Sequence, residues 1–560
     1  MPMGESVAVL RRRDTGRGTG HVYAHGQKAV EARLRARARA GARTATRAVL
    51  ADLAVLAVLA ASGASKASAQ APLEQIDAYI PGAMAAFQVP GLAIAIVKDD
   101  SVVFAKGYGV REVGKPEKVD ERTLFAIGSS SKAFTVALLG QLVDEGKVKW
   151  DDPVTKYLPG FQLSDPYRTR EMMVRDLVTH RVDVARADGL WYGTPYSRDE
   201  IVRRARFLPP IASFRSAYNY NNIMFLTAGQ LAAAVAGKSW DDLVTERVFR
   251  PLGMSATNTS TDSLKRQTDV ASPHAIKDGR AVAIPWRNID NVAPAGSINS
   301  NVLDMARWVR FQLGKGTFEG KEILKPATLA EMHAPQTIVP LRPWLSSVPD
   351  PINALMVPGT HFMMYGMGWF LQDYRGRKLV NHGGAIDGMR AQVAFVPEER
   401  LGVVILTNLN GDHNNLAEAM IFRVLDAYFG GARRDWAADL AAGVRKNLAA
   451  AEAAQKKAAP ASDVGPSLPL EKYAGVYTDS LMGDVKVTLE DGKLVARTPG
   501  FTLDLAHRAY ETFRGTARGG TGDTLDLTFA VDASGKPSRL TVPNLGEFRR
   551  APDAPKTAAN

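Results

Sequence analysis

Phe125-Ala126-Ile127-Gly128-Ser129-Ser130-Ser131-Lys132-Ala133-Phe134-Thr135 sets a hydroxyl and an amine three residues apart. If the run opens a helix, such residues share a face, and Ser129 and Lys132 project together into whatever cleft borders the helix end. A helix N-terminus there would also aim backbone N–H groups and a positive dipole end at a developing oxyanion. Phe134, Val136, Ala137, Leu138, Leu139, Leu142 and Val143 follow at helical spacing, and Gly146 is placed to end the helix. A nucleophile beside a cation suits acyl transfer. The bare spacing is common, however, as a cap followed by a solvated lysine, so the reading rests on partners elsewhere in the chain.

Working outward, Leu92-Ala93-Ile94-Ala95-Ile96-Val97 and Ser101-Val102-Val103-Phe104-Ala105 flank Lys98-Asp99-Asp100, which predicts a strand, tight turn and strand. A long middle region alternates helical patterns with Pro/Gly loops, including Phe225 to Ala236 and Asp304 to Val309. Strand patterns return at Gln392 to Val396 and Leu401 to Leu406, with a turn over Pro397 to Arg400. Strands at both ends with helices between predict one sheet closed by the two termini of a domain. Residues 438–461, rich in Ala, read as a helix leading to a linker. From about Pro469 short strand patterns separated by turns predict a small all-β unit.

At 560 residues, with 46% hydrophobic and 23% charged residues, the chain is expected to form more than one folded unit. The net charge of +12 would suggest nucleic acid until the charges are located. Residues 1–69 hold 12 Lys and Arg against 4 Asp and Glu, or +8, which leaves only +4 for the rest. No basic aromatic stretch or zinc-finger spacing replaces that argument, so no nucleic-acid partner is expected. The leader reads as an export signal: a basic region to Arg47, an apolar stretch from Ala48 to Ala61, then Ala67-Ser68-Ala69 as a cleavage site. The apolar stretch is short for a membrane span, so no stable span is expected after processing, and a periplasmic or secreted location follows. The absence of cysteine removes disulfides, thiol catalysis and cysteine-bound metals. The histidines are scattered, no His-Glu-x-x-His occurs, and neither a metal nor a cofactor is expected; Gly-x-Ser-x-Gly is also absent.

Two further segments supply partners for Ser129. Tyr220-Asn221-Asn222 precedes a helical run, and His382-Gly383-Gly384-Ala385 lies ten residues before the late hairpin, where two glycines suggest a turn. Tyrosine and lysine are poor bases until burial or a neighbouring cation shifts them, a service that adjacent Lys and Tyr can partly render each other.

In this order Ser129-x-x-Lys132, Tyr220-x-Asn222 and His382-x-Gly384 resemble the three motifs of the penicillin-binding-protein and β-lactamase superfamily, in particular the class C β-lactamase-like serine hydrolases. Val89 to Ile94, Gly146 to Val154, Pro251 to Met254, Pro294 to Ser297 and Tyr365 to Trp369 look like further landmarks of that family, and the resemblance covers about residues 85 to 430. It implies an α+β fold, an antiparallel sheet flanked by helices with an all-α lobe, and a site between them. By resemblance Ser129 would be the nucleophile, Lys132 the amine that lowers its proton affinity, and Tyr220 the general base and later the proton donor. The backbone N–H groups of Ser129 and Ala385 would form the oxyanion hole. Asn222, His382 and Gly384 would line the substrate site, with Trp191 shaping the pocket. The C-terminal unit, Tyr473 to Phe548, resembles a lipocalin-like β-domain, read either as a stabilising appendage or as a lid.

Two departures stand out. Relatives that act on β-lactams usually have lysine at the position of His382, and histidine is a weaker, pH-dependent anchor, so β-lactam turnover is expected to be poor. Thr179-His180-Arg181-Val182-Asp183-Val184 stands where relatives read His-x-Ser-Gly, and Asp183 is one of the few residues that would tolerate a glycine's positive φ. The expected domains are a leader over 1–69, a hydrolase domain over 70–437, a helix and linker over 438–468, a β-domain over 469–552 and a tail over 553–560. The expected function is an exported serine hydrolase forming an acyl-enzyme, an esterase or a D-amino-acid peptidase or amidase acting on a small ester, amide or short peptide. A non-catalytic binding or sensor protein and a weak β-lactamase remain alternatives, and the oligomeric state is undetermined.

Overall fold

The structure, a computed structural model, describes residues 72–341, 359–409, 414–430, 434–457, 464–518, 524–543 and 545–552. The expected leader, 1–69, and the whole of the expected tail, 553–560, lie outside them. The sheet, the helical lobe and the barrel all belong to one unit, Gln75–Asn560.

An eight-stranded antiparallel sheet forms the centre of the part that precedes the barrel. Its strands are β1 (Gly91–Lys98), β2 (Ser101–Gly109), β3 (Thr337–Val339), β4 (Met363–Tyr365), β5 (Phe370–Tyr374), β6 (Arg377–Ile386), β7 (Met389–Val396) and β8 (Leu401–Thr407), in the order β2-β1-β8-β7-β6-β5-β4-β3. The predicted β1–β2 hairpin forms because Asp99 and Asp100 accept positive φ, 50° and 64°. β1 then pairs with β8, from Leu92↔Thr407 to Lys98↔Leu401, so the first and last strands of the domain do close one sheet. Both are buried along nearly their whole length, as strands covered on both faces are.

β6 departs from the sequence reading. His382-Gly383-Gly384-Ala385 lies inside a ten-residue strand paired with β7, not in a turn. β5 pairs with β6 only as far as Asn381, so from His382 onward that edge of β6 is free of β5.

Helices α1 (Lys132–Asp144) and α2 (Asn222–Ala236) form the centre of the helical lobe, and α3 (Val302–Leu313) packs on β1 and β8. α1 is buried on almost every side, which its apolar composition permits all round. It stops at Asp144, and Gly146, with φ +72°, turns the chain away. α4 (Leu416–Phe429) and α5 (Trp436–Lys457) are the two long helices that follow the sheet.

Beyond them eight antiparallel strands, from Gly475–Asp479 to Gly546–Arg550, close into a barrel as Tyr477 meets Arg550 and Thr478 meets Arg549. Alternate side chains such as Val485, Val487, Phe513, Phe529 and Phe548 are buried within it, the period of two that strands impose. The barrel rests on the segment 192–204. The Tyr196 hydroxyl donates to Met482 O at 3.1 Å, Arg204 Nη1 donates to Ser480 O and Leu481 O at 3.1 and 2.9 Å, and Phe501 lies 5.8 Å from the Tyr192 ring.

Candidate active site

A short 3₁₀ turn, Gly128–Ser131, leads directly into α1. It is held from both sides: Phe125–Ala126 pairs with Asn299–Ser300, and Ile127 N–H donates to Ile298 O at 2.9 Å. The three serines divide their tasks. Ser130 Oγ donates to His382 O at 3.1 Å, Ser131 Oγ accepts from Ile298 N at 3.1 Å, and Ser129 is left to face the cavities.

The turn and β6 approach too closely for side chains between them. A Cβ on Gly384 would lie 1.8 Å from Ile127 O and 2.9 Å from Ser129 N, and one on Gly128, whose φ is +50°, would lie 2.6 Å from Ala385 N. The two glycines therefore bring the backbone N–H groups of Ser129 and Ala385 into one neighbourhood, the requirement for a two-donor oxyanion site.

Lys132 Nζ is fully buried, 3.1 Å from Ser129 Oγ, and donates to Asn222 Oδ1 and Ala295 O, each at 2.8 Å. Burial, reinforced by the charge of Arg186, holds its amine well below the ordinary lysine range. A neutral amine has two N–H donors and one lone pair. With the amine neutral, Asn222 and Ala295 would take the two donors and leave the lone pair for the Ser129 hydroxyl proton.

Tyr220 hydrogen-bonds to Ser129, and its ring centroid lies 4.7 Å from Lys132 Nζ. Burial raises its phenol above the ordinary range, while the bond to Ser129 and then Arg186 pull it back down. His180 packs on the Tyr220 ring at 4.1 Å, and its Nδ1 accepts from Asn221 N–H at 3.1 Å. The loop that carries it bears out the tolerance expected of Asp183, whose φ is +58°; the carboxylate accepts from Ser216 N and Ala217 N at 2.8 and 3.3 Å, and also binds Asn219 Nδ2.

His382 is buried beneath the cleft. Its Nε2 lies 3.1 Å from the Tyr365 hydroxyl and its Nδ1 2.6 Å from Gly383 O, and burial, with Lys132 adding to it, pushes it down to about 3. It is uncharged at neutral pH and offers no cation there. Trp191 is nearly buried and donates from Nε1 to Asp188 Oδ1 at 2.8 Å.

Ser129, Arg186 and Ala385 stand where two cavities meet. One, of about 440 Å³, runs past Tyr220, His382 and Gly384 toward Gln392 and Glu418. The other, of about 270 Å³, is bounded by Asp188, Trp191, Tyr192, Asn222 and Ile289. The structure thus brings together every residue singled out from the sequence: Ser129, Lys132, Tyr220, Asn222, His382, Gly384, Ala385 and Trp191.

Three participants escaped that reading. Ala295 acts through its carbonyl, which no side-chain pattern reveals, although Pro294-Ala295-Gly296-Ser297 stood out as a landmark. Arg186 and Asp188 sit on an irregular loop around Ala187, whose φ of +50° leaves no periodicity to read. Among the described residues no cluster of three or more His, Asp or Glu could hold a metal, and no helix is long and apolar enough to cross a membrane.

A family model described as Beta-lactamase matches residues 76–426, and one described as a domain of unknown function, DUF3471, matches residues 459–555. An unguisins hydrolase, ungD, of Aspergillus violaceofuscus (strain CBS 115571) is 29% identical over 511 residues, covering 84% of this chain and 88% of the relative. The protein flp of Staphylococcus aureus (strain COL) is 24% identical over 350 residues, covering 61% and 64%. Among solved structures, the octameric penicillin-binding protein homologue from Pyrococcus abyssi shares the fold, with a TM-score of 0.57 and 21% identity over 85% of this chain and 99% of that one.

Proposed function

The chain belongs to the β-lactamase family, and on that premise we propose that it is a serine hydrolase that forms an acyl-enzyme on Ser129. The observation that carries this reading is the buried Lys132 amine, bonded to Asn222 Oδ1 and Ala295 O and standing 3.1 Å from the Ser129 hydroxyl.

In acylation Lys132 Nζ takes the Ser129 proton as Oγ attacks the carbonyl carbon of the substrate. The oxyanion is held by the N–H groups of Ser129 and Ala385. As the bond to the leaving group breaks, Tyr220 gives that group its proton, and the proton on Lys132 then restores the Tyr220 hydroxyl. Deacylation runs the same path with water: Lys132 takes a water proton, the hydroxide attacks the acyl carbon, and Ser129 Oγ leaves with a proton from Tyr220. The resemblance gives Tyr220 the part of the base. Burial favours the exchanged assignment, because it strips charge from an amine and withholds it from a phenol.

Substrates are proposed to be esters or small peptide amides rather than β-lactams, because His382, neutral where relatives place an ammonium, leaves a carboxylate without that anchor. The order of basic, apolar and small residues over 1–69 supports export.

The test is the intact mass of the protein after exposure to a small fluorophosphonate, beside Ser129→Ala. One adduct on the parent and none on the variant is the expected result. An unlabelled parent, or a labelled variant, would overturn the assignment of Ser129.

A further inference from the structure

Arg186 is used by none of the steps above, yet it lies over the reacting groups. Its guanidinium carbon stands 5.1 Å from the Tyr220 ring centroid, on a side chain that is 59% exposed and borders both cavities. Asp188 fixes it there: Arg186 Nε donates to Oδ2 at 2.5 Å, while Oδ1 accepts from Trp191 Nε1 and Asn222 Nδ2 at 2.8 and 2.9 Å. Asn222 in turn holds Lys132.

We propose that Arg186 is a positioning residue, a permanent cation that adds to burial in keeping the Lys132 amine free of its proton and makes the Tyr220 phenol readier to release one. This rests on the serine hydrolase reading and adds to it a residue outside the three motifs.

The groups around the Lys132–Tyr220 pair leave few other candidates. His180 faces Tyr220 at 4.1 Å and His382 at 6.5 Å, and burial drives both toward the neutral form. Tyr218 packs against His180, and Tyr365, held neutral by burial, packs against both His180 and His382. Ser129 does not ionise. Asp188 works in the opposite sense, but its carboxylate is engaged by three donors, the guanidinium among them. A guanidinium cannot be deprotonated in the working range and is more weakly hydrated than an ammonium, so it keeps its charge at the mouth of a cleft where buried bases lose theirs. Arg186 pulls both partners the same way, lowering the proton affinity of Lys132 and of Tyr220.

The pair titrates as a unit, so the measurable quantity is the pH at which it sheds its proton. The rate of Ser129 labelling by a small ethoxy fluorophosphonate, followed by intact mass from about pH 5 to 10, reads it without knowledge of the substrate. In Arg186→Gln the rising limb should move up by about one pH unit or more, so that labelling at neutral pH falls about tenfold and recovers in alkali. Arg186→Lys should keep the parent's limb to within about half a unit. A limb unmoved in Arg186→Gln, whatever its plateau, would overturn the proposal, as would an equal displacement in both variants. If Arg186→Gln folds poorly, Arg186→Ala with dilute guanidinium ion decides: restoration of the parent's limb supports the proposal and failure to restore it overturns it. A parent unlabelled at every pH would instead overturn the serine hydrolase reading, and this proposal with it.

Discussion

Lys132 in the cleft and Tyr477 in the barrel are both fully withdrawn from solvent. The Tyr477 ring lies 5.5 Å from that of Phe529, and its hydroxyl donates to Tyr473 O at 2.9 Å, so burial removes apolar area from water and leaves no polar group stranded. Lys132 is bound to an amide oxygen, a backbone carbonyl and a hydroxyl rather than to a carboxylate, and the same exclusion of water holds the proton affinity of its amine well below the ordinary lysine range. One physical act, desolvation, builds stability in the barrel and lowers the proton affinity of an amine in the cleft.

If that contrast is sound, damage to the barrel interior should register as stability alone. Phe529 packs among Tyr473, Tyr477 and Phe513, and Phe529→Ala is expected to cost about 3–5 kcal/mol. The urea midpoint should fall while Ser129 labelling in native buffer keeps the parent's rate. Labelling that declines in step with stability would break the contrast by making the barrel part of the chemistry.

Acid tests the other side. Burial holds His333 and His382 down to about 3, against about 6.5 in an unfolded chain. Below about pH 6.5 the unfolded chain takes up protons that the folded chain refuses. Stability is therefore fully present above that pH and is lost toward pH 3, at about 1.4 kcal/mol per unit for each histidine. Between pH 8 and pH 5 the expected loss is about 2 kcal/mol apiece, measured as urea midpoints at the two values. His333 lies away from Ser129, bonded to Gln312, so His333→Gln should remove its own share of the slope and leave the share of His382. An unaltered slope would mean that these rings accept protons without unfolding.

The smallest effect should appear where the two regions touch. Arg204→Ala deletes two bonds to the barrel backbone, worth about 1 kcal/mol, and amide exchange over Asp188 to Tyr192 should accelerate about fivefold. No acceleration there would show that the two regions merely adjoin.

The legible parts of this molecule are those in which one residue's chemistry and its spacing coincide. Ser129 and Lys132 sit three apart at a helix entrance, and in the β1–β2 and β7–β8 hairpins apolar runs flank short charged turns. The strand β6 escaped because Gly383-Gly384 carries the signature of a turn. Gly384 is glycine for another reason, the 1.8 Å that a Cβ would leave to Ile127 O, and that constraint exists only once two distant segments have met. β3 and β4, of three residues each, are too short to show a period. In the barrel, Thr502–Ala509 and Thr512–Ala517 are interrupted by Asp504, His507, Arg508 and Arg514, which occupy the outer face or the rim and blur the apolar alternation. Arg186 and Asp188 were illegible for a similar reason: their importance lies in what they stand beside, and nothing in their local sequence records it.

The segment that bears Trp191 and Tyr192 has a face toward Ser129 and a face toward the barrel, where Phe501 lies against the Tyr192 ring. Tyr192 is also tied to Asp387, two residues past Ala385, through its hydroxyl at 2.6 Å. A substitution at the hairpin tip around Phe501 therefore reaches a wall of the cleft without touching Ser129, Lys132 or the strand beside them. The shape of the cleft is thus set in part by a unit that contributes none of the serine, lysine or tyrosine groups gathered at its centre.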